Sequence, residues 1–117
     1  MRVIFTGIAR RELEDAVRYY ELEHSGLGRR FKEEVRKAAL RIAEYPRAWS
    51  IERGEVRKCL LHKFPYKLMY SVENDHILVI AVGHQHRKPD YLPRTWVLKS
   101  GYLAYTTMIL RLTRDVM

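Results

Sequence analysis

A single cysteine, Cys59, stands in 117 residues, so this chain has neither an intramolecular disulfide framework nor a cysteine-rich zinc site. That cysteine lies inside an apolar run, which reads as a buried structural thiol and not as a nucleophile. Long hydrophobic runs are missing too. The start, Met1-Arg2-Val3-Ile4-Phe5, is apolar only briefly before Arg10 and Arg11, and the last apolar segment is broken by Lys99, Arg111 and Arg114. Neither a secretory leader nor a membrane span is expected, and a cytoplasmic protein follows. P-loop, G-x-G-x-x-G, H-E-x-x-H, G-x-S-x-G and paired-cysteine patterns are absent, which removes the best-marked classes of NTPase, dinucleotide-dependent enzyme, zincin and serine hydrolase. No internal repeat, low-complexity tract or interdomain linker is visible.

What is present in excess is positive charge. Lys and Arg number 22 against 14 Asp and Glu, giving +8 with five His in reserve. Such an excess favours polyanionic or strongly acidic partners and makes binding sensitive to salt, without choosing between nucleic acid, ribosome and acidic protein.

The chain is organised around residues 55–91. Two apolar-rich runs, Cys59–Phe64 and Tyr66–Val72, flank Pro65, and a third, Ile77–Val82, follows the turn-like Glu73-Asn74-Asp75. Such runs read as strands of a meander. Ile77–Val82 is apolar at six successive positions, which predicts a strand buried on both faces at the centre of a sheet. Upstream, Arg2–Thr6 reads as a short strand, and Thr6 is placed to cap the helix that follows. Leu13, Ala16, Val17 and Tyr20 form one helical face within 9–24. Leu27, Phe31, Val35, Ala38, Ile42 and Tyr45 form another, ended by Pro46. The short Ser25–Gly28 connection makes the two an antiparallel hairpin packed on the sheet. Arg47–Gly54 reads as a loop in which Trp49 covers the core. The order is β-α-α-β-β-β, an α+β fold with an antiparallel-rich sheet and the helices on one face.

Chemistry concentrates at the strand ends. Lys58, Lys67 and Arg87 could neutralise phosphates or steady charge on a phosphodiester, and His84 and His86 could act as general acid or base near neutral pH. Tyr91 could stack on a base or donate its hydroxyl. The bare H-x-H lacks a carboxylate or cysteine partner, so no metal and no cofactor are expected.

Four segments, AVRYYE (residues 16–21), GLGRRFKEEV (26–35), RKCLLHKFPYKLMY (57–70) and AVGHQHRKPDY (81–91), together resemble the RelE/ParE toxin superfamily over about residues 2–94. That resemblance implies the toxin of a type II toxin–antitoxin pair, plasmid-stabilisation branch, neutralised by a cognate antitoxin in a hetero-oligomer. RelE-like members cleave messenger RNA on the ribosome, and ParE-like members poison DNA gyrase. By resemblance, Lys58 and Lys67 match positions where RelE-like nucleases hold a Lys and an Arg, and Tyr91 matches their C-terminal tyrosine. Leu60 stands where a second strand lysine would be, and Gln85 where a catalytic arginine would align unless Arg87 takes its place.

The ParE-like reading is therefore preferred, with Lys58, Leu60, Lys67, His86 and Arg87 as the target-binding surface. In the RelE-like alternative Lys58, Lys67, His84, Arg87 and Tyr91 are the catalytic set. A basic nucleic-acid-binding module is the third reading. Residues 1–94 form the expected toxin domain, and 95–117, with apolar Trp96, Leu98, Tyr102, Tyr105 and Ile109, an extension packed on the domain or on a partner.

Overall fold

The structure, a computed structural model, describes residues 1–88. Strand β1 (Arg2–Phe5) hands over to helix α1 (Gly7–Glu23) at Thr6, whose Oγ1 accepts a hydrogen bond from the Ala9 N–H at 3.0 Å. This is the expected cap, and it satisfies one of the four amides that every helix start leaves unpaired. Helix α2 (Leu27–Glu44) follows after three residues. Its N-cap, Gly26, has φ +87°, a left-handed conformation that costs a side chain steric strain. With no side chain at the cap, the task passes to Glu21. Its carboxylate accepts from Gly26 N at 2.9 Å and Gly28 N at 3.0 Å, and those two amides hold its pKa below the usual value. Gly28 allows the helices to approach closely, because a Cβ there would lie 2.6 Å from the Val17 carbonyl oxygen.

The sheet has the order β1-β5-β4-β3-β2, with β2 Ile51–Arg53, β3 Val56–Leu60, β4 Tyr66–Val72 and β5 His76–His84. Strands β2 to β5 run antiparallel to their neighbours, and β1 pairs in parallel with β5, from Arg2 opposite His76 to Phe5 opposite Val79. The expected α+β architecture is present, with three refinements. The segment read as a loop over 47–54 contains β2, joined to β3 by Gly54-Glu55; Gly54, at φ +56°, takes the first turn position that favours glycine in a two-residue hairpin. The apolar run Cys59–Phe64 leaves the sheet at Leu60, so His62 does not share a strand face with Lys58 and Leu60. Strand β5 is interior and buried from His76 to Gly83, but β4 holds the middle of the sheet.

Both helices lie on one face. Phe31, Val35 and Ile42 of α2 are fully buried with Leu13 and Ala16 of α1 against Leu68, Tyr70, Ile77 and Val79. Each large apolar side chain buried this way contributes about 1.5–3 kcal/mol. Trp49 packs on the edge of this core, while Tyr45, expected on the α2 stripe, is exposed. A bulge interrupts β4–β5: Met69 faces Ala81 and Tyr70 faces Val79, leaving Ile80 as the extra residue. Side chains alternate across a strand, so the extra residue reverses the faces. Below it Ile77 and Val79 point to the helices; above it Val82 does, and Gly83 points away. No helix among the described residues is long and apolar enough to cross a membrane. Tyr91, the boundary at residue 94 and the extension 95–117 lie outside the described residues.

Candidate functional site

On the face away from the helices, register aligns Leu60, Lys67 and Gly83 across β3, β4 and β5, with Lys58, Met69 and Ala81 in the next row. Alternation thus brings Lys58, Leu60 and Lys67 together, as the sequence pattern implied. Arg87 joins them because the chain turns back after β5. Its Cδ would stand 3.0 Å from a Cβ placed on Gly83, so the side chain lies directly over that glycine. A larger residue at 83 would push it off the sheet.

The cations on this face are not free. Lys67 is 2% exposed; its Nζ donates to Glu52 Oε2 and to the Arg87 carbonyl, both at 2.9 Å. Glu52, reaching across from β2 and nearly buried itself, also stands 3.6 Å from the half-buried Lys58 Nζ. Arg87 donates to Glu12 Oε2 of α1 at 2.8 Å, and Glu12 Oε1 accepts from the Val82 N–H at 2.9 Å. That amide lies beyond the point where β1 ends, on an edge that would otherwise be bare. A chain of contacts therefore runs Lys58–Glu52–Lys67–Arg87–Glu12, in which the two cations Lys67 and Arg87 are joined through the Arg87 carbonyl. Leu60, 49% exposed, is the apolar side chain this face offers to solvent next to the network.

His84 is separated from this set. The bulge gives it the parity of Val82, and its ring lies 6.1 Å from that of Tyr66, at the end of an aromatic group formed with Tyr20, Phe31 and Phe64. Burial raises the Tyr66 and Tyr20 hydroxyl pKa values, so neither is poised as a base near neutral pH. The His86 ring sits 5.4 Å from the His84 ring, and His84 Nδ1 accepts the His86 backbone N–H at 3.3 Å. That bond leaves the ring proton of a neutral His84 on the outward Nε2, the reverse of a metal-ligating histidine, which donates from its second nitrogen. Among the described residues no group of three His, Cys, Asp or Glu side chains could hold a metal ion. Cys59 is 1% exposed, and burial raises its thiol pKa.

Sequence reasoning missed Glu12 and Glu52, the two anions that occupy the cations. Glu52 was detectable in principle, since Gly54-Glu55 between Ile51–Arg53 and Val56 is a hairpin signal. Glu12 was not, because its partners lie about seventy residues further along the chain.

Residues 3–89 match a family model described as the ParE toxin of the type II toxin–antitoxin system parDE. A solved structure of the chromosomal ParDE TA system from P. aeruginosa superposes with a TM-score of 0.64 at 14% identity, over 72% of this chain and 95% of that one. The isolated E. coli RelE toxin superposes with a TM-score of 0.54 at 21% identity, over 95% of this chain and 97% of that one. At these identities the superpositions establish the fold. Among curated proteins no sequence matches the chain.

Proposed function

The chain belongs to the ParE toxin family of type II toxin–antitoxin systems, and on that basis we propose that it arrests growth by binding DNA gyrase in the cytoplasm, without cutting RNA. The observation that carries this reading is the state of Lys67. Cleaving a phosphodiester needs a base, a donor for the leaving oxygen and cations able to meet the phosphate. Lys67 is buried and committed to Glu52 and to the Arg87 carbonyl, and His84 points to the opposite face from Lys58 and Lys67. A binding surface needs no free cation there. Leu60 supplies apolar contact, Lys58 supplies polar contact beside it, and Lys67 and Arg87 hold the strand ends in place beneath, while His86, expected with them, lies against the His84 ring instead.

The antitoxin is the second partner, and the groove between α1 and α2 suits it. A cavity of about 850 Å³ has Phe5, Leu13 and Val17 among its lining. Arg10, Arg18, Arg29, Lys32 and Arg36 surround them, outnumbering Glu14, Glu21 and Glu33. An acidic amphipathic helix would bury its apolar side in such a groove and pair its charges at the rim.

Two assays test the target: supercoiling by purified gyrase and messenger RNA cleavage on programmed ribosomes, each with and without the protein. The proposal expects gyrase inhibition that Leu60→Asp abolishes, and intact messenger. Codon-positioned cleavage lost in Lys67→Ala, with gyrase untouched, would establish the RelE-like ribonuclease instead.

A further inference from the structure

Strands β4 and β5 are buried along both of their faces, and a sheet buried on both faces needs a layer on each. The two helices supply one. On their side Val3, Phe5, Cys59, Leu68, Tyr70 and Ile77 join the core, and the loop residues Trp49, Leu61 and Phe64 pack with them. Alternation therefore turns Ile4, Val56, Met69 and Leu78 to the far face, on β1, β3, β4 and β5. Val56, Met69 and Leu78 are fully buried there, and Ile4 nearly so, although both helices lie on the other side. Ile4 stands opposite Leu78 in register, and Met69 opposite Ala81 in a neighbouring row, so these residues form one apolar patch. They are buried within a single chain, so no second copy is required to cover them.

We infer that residues 95–117 fold back over this face and form its covering layer, stopping short of Leu60. The chain has already crossed to this side at Arg87: its side chain lies over Gly83, and its carbonyl accepts from the far-face Lys67 Nζ. From Gly83 to Leu78 the face runs roughly 17 Å along β5, and residues 88–94 can span about 23 Å. The next segment can therefore begin anywhere on it. Its composition suits burial, since from Trp96 to Leu110 the only charged residue is Lys99. Left in water, Leu98, Tyr102, Tyr105 and Ile109 would make an exposed apolar surface of the kind monomeric proteins avoid. The edge of the cover follows from exposure on β3. Leu60 is half exposed and Lys58 partly so, whereas Met69, beside Lys58 in register, is fully buried. The cover thus ends before the outer end of β3, and the Leu60 surface stays open beside it. The groove between α1 and α2 lies on the opposite side of the sheet and is a separate docking place.

Leu60→Cys in the full chain, labelled with a benzophenone maleimide, tests the assignment; the buried Cys59 does not compete for the label. The label reaches a layer packed on the sheet, about 10 Å away. Irradiation of the isolated protein and peptide mapping should join residue 60 to peptides within 95–117 of the same molecule. Cross-links between two chains would make a second copy the cover, and cross-links that miss 95–117 would place the cover elsewhere. Either result overturns the proposal. Leu98→Asp combined with Ile109→Asp should abolish the cross-links and raise binding of the apolar dye anilinonaphthalene sulfonate at least fivefold, while far-UV circular dichroism retains the signal of α1 and α2. A parent chain that binds as much dye as the double variant would mean a face left open for a separate partner, and would also overturn it. Should the double variant fail to fold, the cross-links of the chain with its natural 95–117 segment decide alone. None of these readouts involves gyrase or messenger RNA.

Discussion

Replacing Lys67 by methionine removes the ammonium on which the far side of the sheet is built. The side chains of Lys67 and Glu52 are 3% and 5% exposed, and their bond is 2.9 Å long. Taking one partner from a pair buried this deeply costs about 3–5 kcal/mol, because the remaining charge is stranded out of water. Lys58, 3.6 Å from Glu52 and partly solvated, offsets some of that, which places the loss at about 3 kcal/mol. For a domain of this size such a loss lowers the melting temperature by roughly 10–20 °C. Removing both charges should be far milder, since apolar replacement of a whole buried pair is often near neutral. Urea unfolding of the parent, Lys67→Met, Glu52→Met and the double variant closes a cycle whose coupling should be about 2 kcal/mol. A Lys67→Met variant within about 0.5 kcal/mol of the parent, or a coupling near zero, would refute the reasoning. Lys67 would then be a free cation, and the argument against phosphodiester cleavage would lose its support.

Three further outcomes follow from the helices. Thr6→Ala, which deletes the acceptor of the Ala9 N–H, should cost about 1 kcal/mol in urea unfolding. Gly28→Ala must push a Cβ against the Val17 carbonyl oxygen, 2.6 Å away, and forcing that contact should cost about 1–3 kcal/mol. The folded pKa of Glu21 is lowered by the Gly26 and Gly28 amides, so its stabilisation is complete above the ordinary carboxylate pKa of 4.5 and is lost as pH falls through the folded value. Glu21→Gln should therefore flatten the stability profile below pH 4.5 and leave its slope near neutrality unchanged.

Most of the architecture was legible because it rests on periodicity. The 3- and 4-residue steps of Leu13, Ala16 and Tyr20 and of Phe31, Val35, Ala38 and Ile42 predict two packed helices, and all of these pack in or against the core. The unbroken apolar run in β5 predicts an interior strand, which it is. What could not be read depends on a single residue or on distance. The bulge at Ile80 leaves no mark in composition, yet it decides that His84 and Lys67 point to opposite faces. The family resemblance singled out cations along the chain but not the anions that pair with them. Glu12 and Glu52 take their roles only once strands and helix are assembled. The Gly26 cap was visible as a helix stop; its rescue by a carboxylate five residues upstream was not.

The parallel pairing of the first described strand with the last described one has a kinetic side. Arg2 cannot meet His76, nor Phe5 meet Val79, until nearly all the described chain has been synthesised. The α1–α2 hairpin is local and forms early, but the sheet against which it buries Phe31 and Val35 closes at the end. Closing so long a loop before its contacts reward it places folding toward the slow, millisecond-to-second side of two-state domains. At about 5–20 residues per second of synthesis, the nascent chain spends several seconds with its helical hairpin made and its final surface unmade. For a member of a toxin–antitoxin family, those seconds are a window in which a partner that recognised the hairpin would meet it before the sheet is complete.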